Sequence, residues 1–236
     1  MSQFTITKRT GARSKIRPVY IMFESGISTN HMNTVVNAVN ELLEVANATS
    51  FIKAQNFGVW RNSNYRQNGK LTEWNSVDWY VEDAKSISRP GQIDCERLVT
   101  NLLIEPWQKQ TPHYDLLVLK SDLYARNTNF VLGLAQHHGA SALSIHRLLG
   151  LENRLQHECI KTIVMHEMGH VFGLIPAERT QNVEESLGKH CTNRCLMRQG
   201  LNVPHDWINI TQDRLKYGPF CTTCTKDLRE YFFKPY

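Results

Sequence analysis

A chain of 236 residues can bury a full hydrophobic core and is too short for two large domains. With 41% hydrophobic and 21% charged residues and a mean hydropathy of −0.40, it excludes disorder as the default. No run reaches the roughly 18 to 20 apolar residues of a spanning helix, so no membrane role is expected. Several of the net +5 charges fall in an N-terminal arm (Lys8, Arg9, Arg13, Lys15, Arg17), which leaves the body near neutral and points to no nucleic-acid partner.

Residues 1–17 read as a solvated basic tail. The N-terminus lacks the apolar segment and small-residue cleavage site of a secretory signal, which implies a cytoplasmic location. Residues 18–23 (PVYIMF) suit a buried strand. Apolar positions from Met32 to Val45 recur at helical spacing and predict a helix over 31–46, capped by Ser28 or Thr29. Residues 51–60 suit a second strand. The polar stretch 61–91 reads as loop, with an edge strand over 77–81. Cys95, Leu98, Val99, Leu102 and Leu103 predict a helix over 93–107, followed by a strand at 114–119 (YDLLVL). Two further strands are expected at 130–135 and 142–145, joined by a polar link.

A long helix over 155–172, ended by Gly173, comes next. Beyond it the chain is polar and poor in apolar residues, so residues 174–236 read as a small subdomain that needs a staple such as bound metal, appended to a core over 18–173.

On that helix stands His166-Glu167-Met168-Gly169-His170. Residues four apart share a helix face, so the two imidazoles can hold one ion. Glu167 flanks it, placed to take a proton from zinc-bound water and return it to a leaving amine. Gly169 inside a helix costs roughly 1 kcal/mol against Ala, which predicts close packing of another segment there. A catalytic zinc takes three protein ligands, and the third is open among His190, His205, Glu184 and Glu185. Cys191 and Cys195, with a CxxC at Cys221 and Cys224, suffice for a four-cysteine zinc site; free thiols or a redox CxxC are the alternatives. Met197 alone reads as core filler.

HExxHxxG followed by His190-Cys191, Cys195, Met197 and a distant CxxC resembles the archaemetzincin family of metzincin zinc peptidases, whose usual pattern is HExxHxxGx3Cx4CxMx17CxxC with the third zinc histidine just before the first cysteine. The resemblance implies that His166, His170 and His190 hold a catalytic zinc, with Glu167 as general base. It implies a second, structural zinc on Cys191, Cys195, Cys221 and Cys224, and Met197 as the methionine turn beneath the catalytic ion. Asn129 to Gly133 and the segment 142–148 resemble the family's edge strand and the strand after it, which makes Phe130, Val131, Leu132 and Gly133 the expected contacts of an extended peptide. The implied fold is α/β, an α+β zincin: a twisted mixed sheet with an antiparallel edge strand over the cleft, an HExxH helix behind it and a zinc-knotted C-terminal part.

The chain departs from the pattern in that Pro176 stands where the third histidine belongs, and His190 follows after a 14-residue insertion. Three residues rather than four separate the two cysteines, and 23 rather than 17 lie between Met197 and Cys221. Loop length is thermodynamically cheap, so the insertion reads as a solvated excursion. The function expected is a peptidase acting on peptide or protein substrates. The other readings are a glutamate-ligated zinc hydrolase using Glu184 or Glu185, and a zinc-stabilised binding protein without turnover.

Overall fold

The computed structural model describes residues 15–60, 76–105, 108 and 110–233; the first 14 residues of the predicted tail and residues 61–75 of the predicted loop lie outside them. In chain order the strands are β1 (Val19–Phe23), β2 (Ala54–Gly58), β3 (Gln92–Asp94), β4 (Tyr114–Leu119), β5 (Asp122–Tyr124), β6 (Gly133–Ala135), β7 (Ala140–Ser144), β8 (Val183–Glu185) and β9 (Lys189–Cys191). The helices are α1 (Thr29–Val45), α2 (Val77–Asp83), α3 (Cys95–Ile104), α4 (Asn153–Val171), α5 (His205–Tyr217) and α6 (Thr222–Phe233).

Five strands form the main sheet in the order β2-β1-β4-β7-β6. All its pairs are parallel except β6 with β7. Helices cover both faces, and that is why β1 and β4 read as unbroken apolar runs. Side chains alternate between the faces: Ile21, Phe23, Leu116 and Val118 pack with α1 and α4, while Met22, Leu117 and Leu119 pack with α2 and α3. Each such side chain, buried completely, contributes about 1.5 to 3 kcal/mol.

Ser28 caps α1 by accepting the His31 N–H at 3.2 Å. Residues 77–81 are helical, against the expectation of an edge strand. Ser76 caps them by accepting from Asp78 N, and Val77, Tyr80 and Val81 bury one helical face; spacings of three and four outweigh the β-branched and aromatic composition. The helix expected over 93–107 begins at Cys95, because Gln92–Asp94 pairs with β5 and Asp94 then caps the helix on Arg97 N. Residues 106 and 107 lie outside the described set.

The C-terminal part carries α5 and α6. Trp207, Ile210, Leu228 and Phe232 join the same cluster as Ile21 and Leu116, so one core runs across Gly173. Of the expected tail, Lys15 and Arg17 lie against the body: Lys15 Nζ sits 4.9 Å over the Tyr231 ring and Arg17 Nη1 is 3.4 Å from the His138 carbonyl. No helix among the described residues is long and apolar enough to cross a membrane.

Candidate metal centre

α4 is capped by Glu152, whose carboxylate accepts from the N–H groups of Arg154 and Leu155. The helix runs through the middle of the molecule, between α1 and α5 and against the sheet. It is buried from Ile163 to Gly169, so His166 and Glu167 are largely shielded from bulk water while His170 is half-buried.

The four-residue spacing brings the His166 and His170 rings to 4.8 Å between centroids. His190 reaches them on the insertion, which is a β-hairpin rather than a solvated loop: β8 and β9 pair antiparallel, with Glu184 opposite His190 and Val183 opposite Cys191. The His190 ring lies 5.3 Å from that of His166 and 5.0 Å from that of His170. One donor atom from each of the three lies within 4.8 Å of the others. The other sequence candidates fall outside this cluster. His205 opens α5 with its side chain 79% exposed beside Asp206, and Glu184 and Glu185 are exposed on β8.

Each clustered histidine spends its Nδ1 on a backbone carbonyl: His166 on Leu196 at 2.8 Å, His170 on Leu174 at 3.0 Å and His190 on Gly188 at 3.2 Å. A carbonyl only accepts, so Nδ1 carries the proton and Nε2 keeps the lone pair. Burial also holds these imidazoles neutral. The His166 pKa falls to about 3 through desolvation and the neighbouring His190, and those of His170 and His190 fall below the usual value first through desolvation. Neutral imidazole is the form that binds zinc.

Glu167 is 6% exposed, and burial raises its pKa to about 8. It faces Gly133: a Cβ built there would stand 2.6 Å from Glu167 Oε1. Gly169 has a similar explanation, since a Cβ would stand 2.7 Å from Met197 Sδ. Met197 is fully buried under the helix between the two histidines, and its carbonyl accepts from Cys191 N.

A cleft of about 460 Å3 runs past these groups, lined by the predicted residues Phe130 to Gly133 on one side and by Leu187, Leu201 and Trp207 among others. β6 is one of the two edge strands of the sheet, at the end opposite β2. Regular pairing covers only Gly133–Ala135 of the expected 130–135, but the chain stays pinned upstream, where Val131 N donates to Leu123 O and Leu132 O accepts from Ser144 N. Trp207 joins the site without any motif in the sequence to mark it. Its ring meets His166 edge-on at 5.1 Å, and its buried Nε1 has no hydrogen-bond partner among the described residues.

Behind the hairpin the Sγ atoms of Cys191, Cys195, Cys221 and Cys224 lie within 4.8 Å of one another. All six cysteines are free of disulfides. Hydrogen bonding with Cys195 draws the Cys191 and Cys221 thiols down, Cys221 to about 5. Four converging sulfurs and three locked imidazoles are donor sets that suit zinc.

No family profile matches the chain. It is 35% identical over 114 residues to an archaemetzincin of Archaeoglobus fulgidus, covering 48% of this chain and 58% of that one. It is 38% identical over 111 residues to an archaemetzincin of Nanoarchaeum equitans, covering 47% and 49% respectively. The matched stretch thus spans about half the length of these curated relatives. Among solved structures, the archaemetzincin of Methanopyrus kandleri superposes with a TM-score of 0.60 at 22% identity, over 94% of this chain and 98% of that one. The Archaeoglobus fulgidus protein, complexed with malonate, gives 0.58 at 21% identity over 89% and 99%. Over about half its length the chain is thus similar in sequence to archaemetzincins, and it shares their α/β fold.

Proposed function

We propose that the chain is a zinc-dependent peptidase with two zinc sites, one catalytic on His166, His170 and His190 and one structural on Cys191, Cys195, Cys221 and Cys224. The observation that carries the reading is the tautomer lock: three imidazoles, His166 and His190 buried and His170 half-buried, each hold Nδ1–H on a carbonyl and leave Nε2 unprotonated, with one ring nitrogen from each within 4.8 Å of the others, beside a buried carboxylate and an open cleft.

Zinc bound there supplies a Lewis acid that polarises a peptide carbonyl and acidifies water, and a positive charge that opposes the upward push on Glu167. Glu167 accepts the proton of an attacking water and returns it to the departing amine. The outer edge of β6 offers backbone groups to an extended substrate, which lies across the cleft by strand addition. Met197 fills the space under Gly169 and keeps the helix face from shifting.

Zinc per chain tests the assignment. His190→Ala lowers the content from two equivalents to about one; two equivalents retained in the variant would send the third-ligand role elsewhere. Gly133→Ala is expected to lower kcat/KM by roughly 10- to 100-fold with zinc retained, because the new methyl displaces the Glu167 carboxylate or pushes the edge strand outward, and misplacement by about 1 Å costs that much. Wild-type turnover in steady-state peptide hydrolysis by the variant would show that the close approach of Gly133 and Glu167 is not needed.

A further inference from the structure

The insertion that carries the chain from Gly173 to His190 contains a buried cation. Arg179 is 8% exposed, and its guanidinium is fully engaged. Nη1 stands 3.2 Å from Cys224 Sγ and 3.1 Å from Asp227 Oδ2. Nη2 stands 3.3 Å from Cys191 Sγ and 3.4 Å from the Asn182 carbonyl, and Nε donates to Gln181 O at 3.1 Å. A planar fork with five donors can span two sulfurs, a carboxylate and two carbonyls at once, and an ammonium cannot. Four thiolates around a divalent ion leave a net charge of about −2, and a cation against two of the sulfurs offsets part of it.

The same contacts reach the other centre. Gln181 and Asn182 lead directly into β8, and Asn182 O also accepts from Thr192 N just beyond β9. β8 holds β9 in register, with Glu184 opposite His190 and Val183 opposite Cys191. Adjacent residues of a strand point to opposite sides, so Cys191 turns toward the sulfur cluster while His190 turns toward His166 and His170. Fixing Cys191 therefore fixes the rotation of β9 that aims His190.

We propose that Arg179 is a positioning residue that couples the two metal centres, so that the three-histidine site binds its ion tightly only while the four-cysteine cluster is assembled around its own. This rests on the reading that both clusters bind zinc. A coupling of this kind is reciprocal in equilibrium affinity.

The test is cobalt titration of the full chain stripped of metal. Sulfur-to-cobalt charge-transfer absorption reports the cysteine site alone, and the histidine site is read from the ligand-field absorption left after subtracting the bands that rise in proportion to that charge transfer. Arg179→Ala is expected to weaken cobalt binding at the histidine site at least tenfold, although the residue touches none of its ligands there; Arg179→Lys recovers part of the loss. Emptying the cysteine site by Cys224→Ser produces a similar loss at the histidine site. Wild-type cobalt affinity at the histidine site in Arg179→Ala overturns the coupling and leaves the peptidase reading standing, whereas a wild-type chain that takes up no cobalt at the histidines overturns both. If Arg179→Ala does not fold, Asp227→Asn removes the guanidinium's carboxylate anchor; a loss of about threefold or more at the histidine site supports the coupling, and unchanged affinity there overturns it.

Discussion

Glu167→Gln lowers kcat for peptide hydrolysis by about 10²- to 10⁴-fold, the range a positioned general base contributes, and leaves zinc content at the wild-type value. Glutamine keeps the size of the side chain, so the packing against Gly133 and the placement of His166 and His170 persist while the proton acceptor is gone. The same variant has a second, opposite effect on the metal-free protein. Burial lifts the Glu167 pKa from 4.5 to about 8 in the folded state. A carboxyl whose folded pKa is raised contributes stability that is fully present below about pH 4.5 and lost as pH rises toward 8, because only the unfolded chain ionises freely in that window. The loss amounts to a few kcal/mol. Metal-free Glu167→Gln therefore melts above the metal-free wild type at pH 8, and the gap closes toward pH 4.5. A variant that still hydrolyses peptide at the wild-type rate sinks the base assignment. A wild type that binds zinc and shows no turnover on any peptide favours the zinc-stabilised binding protein.

The parts of the fold that could be read from residues alone are those where burial is complete on both sides or where a ligand spacing matches a helix period. β4 is legible to its ends because all six of its side chains are buried, and the pairing of His166 with His170 because four residues make about one turn. α5 escaped notice for a physical reason. Two of its four buried positions are polar: Thr211 bonds Thr162 at 2.9 Å, and Arg214 bonds Thr162 at 3.0 Å and pairs with Glu158. A stripe satisfied by hydrogen bonds and an ion pair leaves no apolar period to count. The hairpin is hard to read from sequence because its strands are three residues each and its turn runs through Leu187, which has a φ of 49°, a conformation unusual for leucine. Gly188, at a φ of 107°, was the one visible sign of that turn. Arg179 carries no mark of its role in the sequence, since the sulfurs it serves lie 12 and 45 residues away.

Cys224→Ser is expected to remove about one zinc equivalent and lower the Tm of the zinc-loaded protein by 10 °C or more, read by elemental analysis and thermal melting. Structural zinc in small peptides is worth about 10 to 16 kcal/mol, against a net stability of about 5 to 15 kcal/mol for a whole domain. Even a third of that energy shifts a chain of this size by roughly 10 °C, at about 2 to 4 °C per kcal/mol. Cys224 is fully buried at the start of α6, the helix that supplies Leu228, Tyr231 and Phe232 to the shared core. Tyr231 also bonds Tyr114 Oη at 2.9 Å and His138 Nδ1 at 2.8 Å, and its ring closes over Gly173, where a Cβ would stand 2.9 Å from it. Loosening α6 thus frees the turn after His170 as well as the sulfur cluster. Cys159→Ser is the control, because Cys159 is equally buried but lies outside the cluster; it should leave zinc content unchanged. A Cys224→Ser protein with full zinc and an unmoved Tm would show that apolar packing alone holds the C-terminal helices in place, and that the four sulfurs meet without a metal to bind them.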